Sequence, residues 1–154
     1  MNDDTPAGVH ILVDGDACPV KDEVYKVARR YDLQVRVVTN AYIRVPAEPL
    51  FRRVLVGSGF DAADDWIAEA AGARSIVITA DILLADRCVK AGATVLGPNG
   101  RAFDAASIGN AVATRALRAD LRAMDEVRSG PPPFSKADRS RFLSSLDQAA
   151  VRLM

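Results

Sequence analysis

Three groups of acidic residues carry the chemistry this chain could perform: Asp14 with Asp16, then Asp61, Asp64 and Asp65, and later Asp81. Asp14 closes an apolar run of strand length, Val9-His10-Ile11-Leu12-Val13, and Asp81 follows another, Ser75-Ile76-Val77-Ile78-Thr79-Ala80. Acids at the carboxyl ends of strands lie where open α/β sheets place their ligands. Gathered carboxylates repel one another, and a hard divalent cation with oxygen ligands relieves that repulsion. The chemistry suggested is metal-assisted attack on a phosphate ester. Asp14, Asp64 and Asp81 are the expected catalytic acids and metal ligands, with Asp16 or Asp65 assisting. His10 is the single histidine, and an oxygen-only ligand set selects Mg²⁺ or Mn²⁺ over zinc. Lys21, Asn40, Arg44, Arg52 and Arg53 are the expected substrate contacts, the cations meeting phosphate.

Each acid alone also has a plain structural use. Asp61 and Asp64 could cap or charge-complement a helix N-terminus, and Asp81 could be the N-cap of the helix that follows it. Cys18 and Cys88 read as buried free thiols, and His10, inside the first strand, as structural. Trp66 falls on the apolar stripe of its helix. Arg115, Arg118 and Arg122 mark one face of a long helix, a solvated face or a phosphate track. No Gly-x-x-x-x-Gly-Lys or Gly-x-Gly-x-x-Gly phosphate loop is present.

The elements that must position these residues alternate strand and helix. Strands are expected at residues 9–14, 33–39, 51–56, 74–79 and 93–96, and helices at 19–31, 62–71 and 82–91. Gly72 and Gly92 are the expected helix ends. Pro46 and Pro49 keep the segment 40–49 irregular. A helix over 105–128, a Gly-Pro-Pro-Pro link at 130–133 and a last amphipathic helix opened by Ser135-Lys136-Ala137-Asp138 complete the chain. Alternation of this kind predicts one three-layer α/β domain with a mainly parallel sheet of about five strands in the order 3-2-1-4-5, both C-terminal helices packing on its core.

Composition narrows the partners. The chain has 154 residues, is 49% hydrophobic and 26% charged, and its 20 basic residues balance 20 acidic ones. No global field draws in nucleic acid, so any such site is a local patch. The N-terminus lacks the pattern of a secretory signal and no apolar run approaches membrane-spanning length, so cytoplasmic residence is the expectation.

Two rivals to a phosphodiesterase follow from the same residues. Asp14-Gly15-Asp16 fits the Asp-x-Asp start of haloacid-dehalogenase-like phosphatases, with Asp14 as nucleophile, Thr39 at a strand end and Lys90 as the ambiguous lysine. The other rival is a non-catalytic module that binds nucleic acid or a protein, with the segment 131–139 as its contact surface.

The segments Val13-Asp14-Gly15-Asp16-Ala17-Cys18-Pro19-Val20-Lys21, Val38-Thr39-Asn40, Gly59-Phe60-Asp61-Ala62-Ala63-Asp64-Asp65-Trp66-Ile67, Thr79-Ala80-Asp81-Ile82-Leu83-Leu84-Ala85 and Pro131-Pro132-Pro133-Phe134-Ser135-Lys136-Ala137-Asp138-Arg139 resemble the YaiI/YqxD family. Members of that family are similar in fold to PIN-domain and NYN-type nucleases. The resemblance implies a metal-dependent phosphodiesterase acting on RNA or single-stranded nucleic acid. It also implies acids at the ends of the first and fourth strands and one on the intervening helix, which Asp14, Asp81 and Asp64 match. Gly15 stands where the family usually has Ala, and Leu83 where it usually has Pro; neither touches a carboxylate.

Overall fold

Alternation along each strand decides the architecture. In β1 (His10–Asp14), Ile11 and Val13 point to one face of the sheet and Leu12 to the other, and all three are fully buried. Strands apolar on both faces need cover on both, as parallel sheets have. The computed structural model describes residues 8–15, 18–57, 59, 61–109 and 135–154. Asp16, the expected helix beyond residue 109 with Arg115, Arg118 and Arg122, and the link at 130–133 lie outside the described residues.

β2 (Gln34–Thr39), β3 (Phe51–Leu55), β4 (Ser75–Ile78) and β5 (Thr94–Leu96) join β1 in parallel, and β6 (Ala102–Phe103) adds an antiparallel edge to β5. The sheet order is β3-β2-β1-β4-β5-β6. Its first five strands follow the order expected from sequence. The sixth is two residues long, too short to show any alternation. The central pair β1 and β4 marks the point where the order reverses, and there the crevice of such a sheet opens.

Helices α1 (Lys21–Tyr31) and α4 (Lys136–Leu153) cover one face, where Val24, Val27, Phe142 and Leu146 meet Ile11, Val13, Val37 and Ile78. Helices α2 (Ala62–Ala70) and α3 (Ile82–Lys90) cover the other, where Ile67, Leu84 and Cys88 meet Leu12, Val38 and Val77. Residues 105–109 are helical, and Ile108 joins this second cluster. Burying a side chain such as Phe142 or Leu146 stabilises by about 1.5–3 kcal/mol.

Helix ends follow local chemistry. Ser135 and Asp138 form a reciprocal capping box at α4, as their spacing predicts. Gly92, at φ +93°, turns the chain after α3. Gly72 does not do the same after α2: Ala71 ends that helix in an extended conformation, and its N–H bonds to the Ile67 carbonyl. The Gly72 N–H is taken by Ser75 Oγ at 3.0 Å, so the turn into β4 needs no left-handed residue. Asp32, at φ 59°, supplies the left-handed position after α1 instead. The connection from β2 to β3 contains no helix or strand; it crosses over α1, where the Tyr25 and Phe51 rings meet at a 46° tilt with centroids 4.8 Å apart. Among the described residues no helix is long and apolar enough to cross a membrane.

Candidate functional site

Asp14 is the last residue of β1, and the register pairs Val13 with Ile78 of β4, so the next residue on the neighbouring strand is Thr79. The buried Thr79 hydroxyl donates to Asp14 Oδ2 at 2.9 Å and accepts from the Asp81 N–H at 3.0 Å. One side chain therefore ties the end of β1 to the turn that carries Asp81. Thr79 was not among the residues expected to matter, because a threonine closing a β-branched run reads as strand. The signal was its place two residues before an acid, where a hydroxyl can hydrogen-bond the backbone two positions on.

Asp81 is the N-cap of α3, as its structural reading anticipates: Oδ1 accepts from Leu83 N at 2.9 Å and Leu84 N at 3.3 Å. Oδ2 stands outside this cap, and Asp81 also lines a crevice. That crevice, about 220 Å³, is lined by Asp14, Cys18, Ile78, Thr79, Ala80, Asp81 and Pro98. Helix capping and a place in the crevice are thus compatible uses of one carboxylate.

Asp64 lies in the first turn of α2, half-buried. Burial, with the negative charges of Asp81, Asp14 and Asp61 behind it, pushes its carboxyl up to about 6, against the opposing pull of Arg87. The three expected acids therefore share one electrostatic neighbourhood. Asp61 occupies the N-cap position of α2 but makes no capping bond through its side chain. Asp65, next to Asp64, is exposed and held by the Arg87 guanidinium at 2.9 Å. The fold does not bring Asp65 to the other acids as it does Asp64.

Among the described residues no group of three or more His, Cys, Asp or Glu side chains is close enough to hold a metal ion. Asp14 and Asp81 share the crevice and Asp64 feels their charge; all three are carboxylates, so the chemistry of the set, though not its spacing here, suits a hard divalent cation. A cation there would relieve the repulsion that Asp81 and Asp14 exert on Asp64.

The expected substrate contacts separate into two places. The Lys21 ammonium donates to the Cys18 carbonyl at 3.1 Å and fixes the entry to α1. Asn40 follows β2 directly and is exposed, as are Arg44 in the crossing segment and Arg52 on the edge strand β3. Arg53 lays its guanidinium over the Tyr42 ring, 4.1 Å from the centroid, and donates to the Ile43 carbonyl at 3.0 Å. A second, wider groove of about 700 Å³ lies between α1 and the crossing segment, with Lys26, Arg29 and Arg44 in its lining.

Residues with bland readings behave accordingly. His10 is buried, its Nδ1 2.6 Å from the Gly8 carbonyl and its Nε2 2.8 Å from Ser75 Oγ, and burial lowers its pKa. Cys88 is fully buried and its thiol is pushed up to about 12. Cys18 is only half-buried, and burial raises its pKa too; neither is a ready thiolate. The two further pieces of the phosphatase alternative are placed differently. Thr39 stands at the end of β2 beside the end of β1, its hydroxyl bonded to Ala41 N and O at 3.1 and 2.9 Å. Lys90 ends α3, far along that helix from Asp81, and pairs with Asp86 at 2.9 Å.

The fold and the crevice define a class: a doubly wound, mainly parallel α/β domain with carboxylates gathered at its topological switch point. The profile described as "Uncharacterized BCR, YaiI/YqxD family" matches residues 12–152, and the chain belongs to that family. It is 67% identical over 144 residues to a UPF0178 protein of Sphingopyxis alaskensis, covering 93% of this chain and 94% of the relative. A UPF0178 protein of Rhodopseudomonas palustris strain BisB5 is 59% identical over 148 residues, 96% of this chain and 90% of the relative. One from Nitrobacter winogradskyi is 58% identical over 145 residues, 94% and 92% of the two chains. No solved structure matches the chain.

Proposed function

We propose that this protein is a divalent-metal-dependent phosphodiesterase that cuts RNA or another single-stranded nucleic acid. The observation that carries the reading is the pair Asp14 and Asp81 in one crevice at the ends of neighbouring parallel strands, tied together through Thr79. Asp64 supports it from α2, its carboxyl raised by burial and then by the same two neighbours. The resemblance to PIN-type nucleases points the same way.

Asp14, Asp64 and Asp81 are the residues that would hold Mg²⁺ or Mn²⁺. Such an ion supplies Lewis-acid charge stabilisation at phosphorus and lowers the pKa of a water. The protein's part is orientation. Thr79 fixes the rotamer of Asp14 from a buried position, and the α3 cap fixes that of Asp81, so two carboxylates are preorganised before substrate arrives. Acids alone would repel a phosphate, so the substrate backbone needs cations nearby; Lys21 opens the helix that follows β1, and Arg44 and Arg53 lie beyond β2, in the crossing segment and on β3.

The test is a substrate panel of RNA, single-stranded DNA and p-nitrophenyl phosphate, run with Mg²⁺, Mn²⁺ and EDTA. The expected result is metal-dependent cleavage of the nucleic acid, abolished in Asp14→Asn and Asp81→Asn, with a thermal shift on Mn²⁺ addition that both variants lose. Turnover of the phosphomonoester through a trapped aspartyl-phosphate at Asp14 would replace this reading with the phosphatase. Tight RNA binding in EDTA, unchanged in both variants and without cleavage, would replace it with a binding module.

A further inference from the structure

Tyr42 is 75% exposed, the most exposed large hydrophobic side chain among the described residues. A free aromatic ring on a loop would be expected to move or to fold back on apolar surface, and this one is held in the open. The Arg53 guanidinium covers one face at 4.1 Å from the centroid, and that guanidinium is itself anchored to the Ile43 carbonyl. The turn beneath is fixed by the buried Thr39 hydroxyl, bonded to both the N–H and the carbonyl of Ala41. Tyr42 follows β2, whose Val38 pairs with Asp14, so its loop leaves the same carboxyl end of the sheet that carries Asp14, with the ring turned toward Arg53 of β3. From Tyr42 the chain runs to Arg44, which lines the groove that Lys26 also lines.

We propose that Tyr42, backed by Arg53, is a stacking platform for one base of a single-stranded nucleic acid whose adjoining phosphates run to Arg44 and Lys26. The proposal rests on the phosphodiesterase reading of the crevice and says how its substrate is held. A rigid ring with one face occupied by a cation offers the other to a flat π-system, and bases stack on such a face whatever their sequence. Unstacked bases are available only in single strands, so the platform selects against duplex. Lys26 and Arg44, set against Asp22 in the same lining, with Arg29 paired to Glu48, favour a polyanion over an apolar protein surface.

The experiment is fluorescence anisotropy with a short labelled oligouridylate and an abasic strand of the same length, in EDTA and in Mn²⁺. The proteins are the wild type, Tyr42→Phe and Tyr42→Ala, each checked for an unchanged melting temperature. The expected result is that wild type prefers the strand with bases. Tyr42→Phe should keep that affinity within about twofold, and Tyr42→Ala should lose about tenfold and with it the preference over the abasic strand. An undiminished preference in Tyr42→Ala overturns the platform, as does wild-type protein that binds both strands equally or neither. Cleavage is scored separately. Tyr42-dependent binding without hydrolysis under any metal sinks the phosphodiesterase and upholds the platform. Hydrolysis whose KM ignores Tyr42 does the reverse.

Discussion

Thr79 and Asp14, 65 residues apart in sequence, are joined by a hydrogen bond of 2.9 Å across the carboxyl ends of β4 and β1. The bond ties the two strand ends together at the crevice that both residues line. It also gives Thr79 two partners, since its oxygen accepts from Asp81 N.

Thr79→Val keeps the shape and removes both bonds. Leaving Asp14 without this donor and the half-buried Asp81 N–H without its acceptor should cost about 1–3 kcal/mol, read as a fall in the denaturant midpoint. Thr79→Ser should retain most of the stability. If the crevice is catalytic, Thr79→Val should also lower kcat more than it raises KM, because it loosens an acid and no substrate contact. A variant as stable as wild type would show that the bond contributes nothing.

The raised carboxyl of Asp64 makes stability depend on pH. Its ordinary value is 3.8 and its folded value about 6. Below the first the carboxyl is protonated in both folded and unfolded chains and costs nothing. As pH rises between the two, the unfolded chain releases the proton more readily, so the folded state loses relative stability until the penalty is complete above about 6. Asp64→Asn should therefore melt higher than wild type in metal-free buffer at about pH 8 and nearly the same at about pH 4. Manganese at the higher pH should narrow the gap by stabilising the wild type. Parallel melting curves across the whole range would show that folding does not raise the Asp64 carboxyl.

Much of this was legible in the chain because strands buried on both faces write unbroken apolar runs. Those runs located β1 and β4, and the acids that end them located Asp14 and Asp81. Asp64 was legible from its place in the first turn of an Ala-rich helix. What escaped was set by tertiary contact. Thr79 looks like any β-branched strand residue until a neighbouring strand places Asp14 beside it. Tyr42 sits in a segment with no period, and only the fold brings Arg53 from β3 to cover its ring. The end of α2 was misread because Ser75, a residue of the next strand, occupies the Gly72 N–H that a left-handed glycine would otherwise leave to the helix.

Gly15 follows Asp14 in a crowded place. A Cβ there would lie 2.8 Å from Val37 Cγ1, 3.1 Å from the Val38 carbonyl and 3.3 Å from Ile43 Cδ1. Gly15→Ala should destabilise by about 1–3 kcal/mol, the usual cost of overpacking. Val37→Ala removes the nearest atom at the cost of a cavity. The double variant should accordingly be more stable than the sum of the two single losses allows, measured by urea unfolding. Simple additivity would mean that Val37 is not what the added methyl meets.

Arg139 joins the two ends of the chain's most specific sequence motifs. Its Nη1 donates to the Pro19 carbonyl at 2.7 Å and to Glu23 Oε1 at 3.3 Å, so α4 clasps the entry to α1 beside Cys18, which lines the crevice. Glu23 is mostly buried, and its Oε2 has no hydrogen-bond partner, so the carboxylate depends on Arg139 for its charge balance. Arg139→Ala should cost about 1–3 kcal/mol, chiefly through the acid left behind. Glu23→Gln removes that charge and should restore part of the loss in the double variant, a coupling on the order of 1 kcal/mol in a double-mutant cycle. Losses that merely add would show the two side chains to be neighbours without mutual stabilisation. Arg139→Lys should recover little, because a single ammonium cannot reach a carbonyl and a carboxylate in the fixed fork a guanidinium offers.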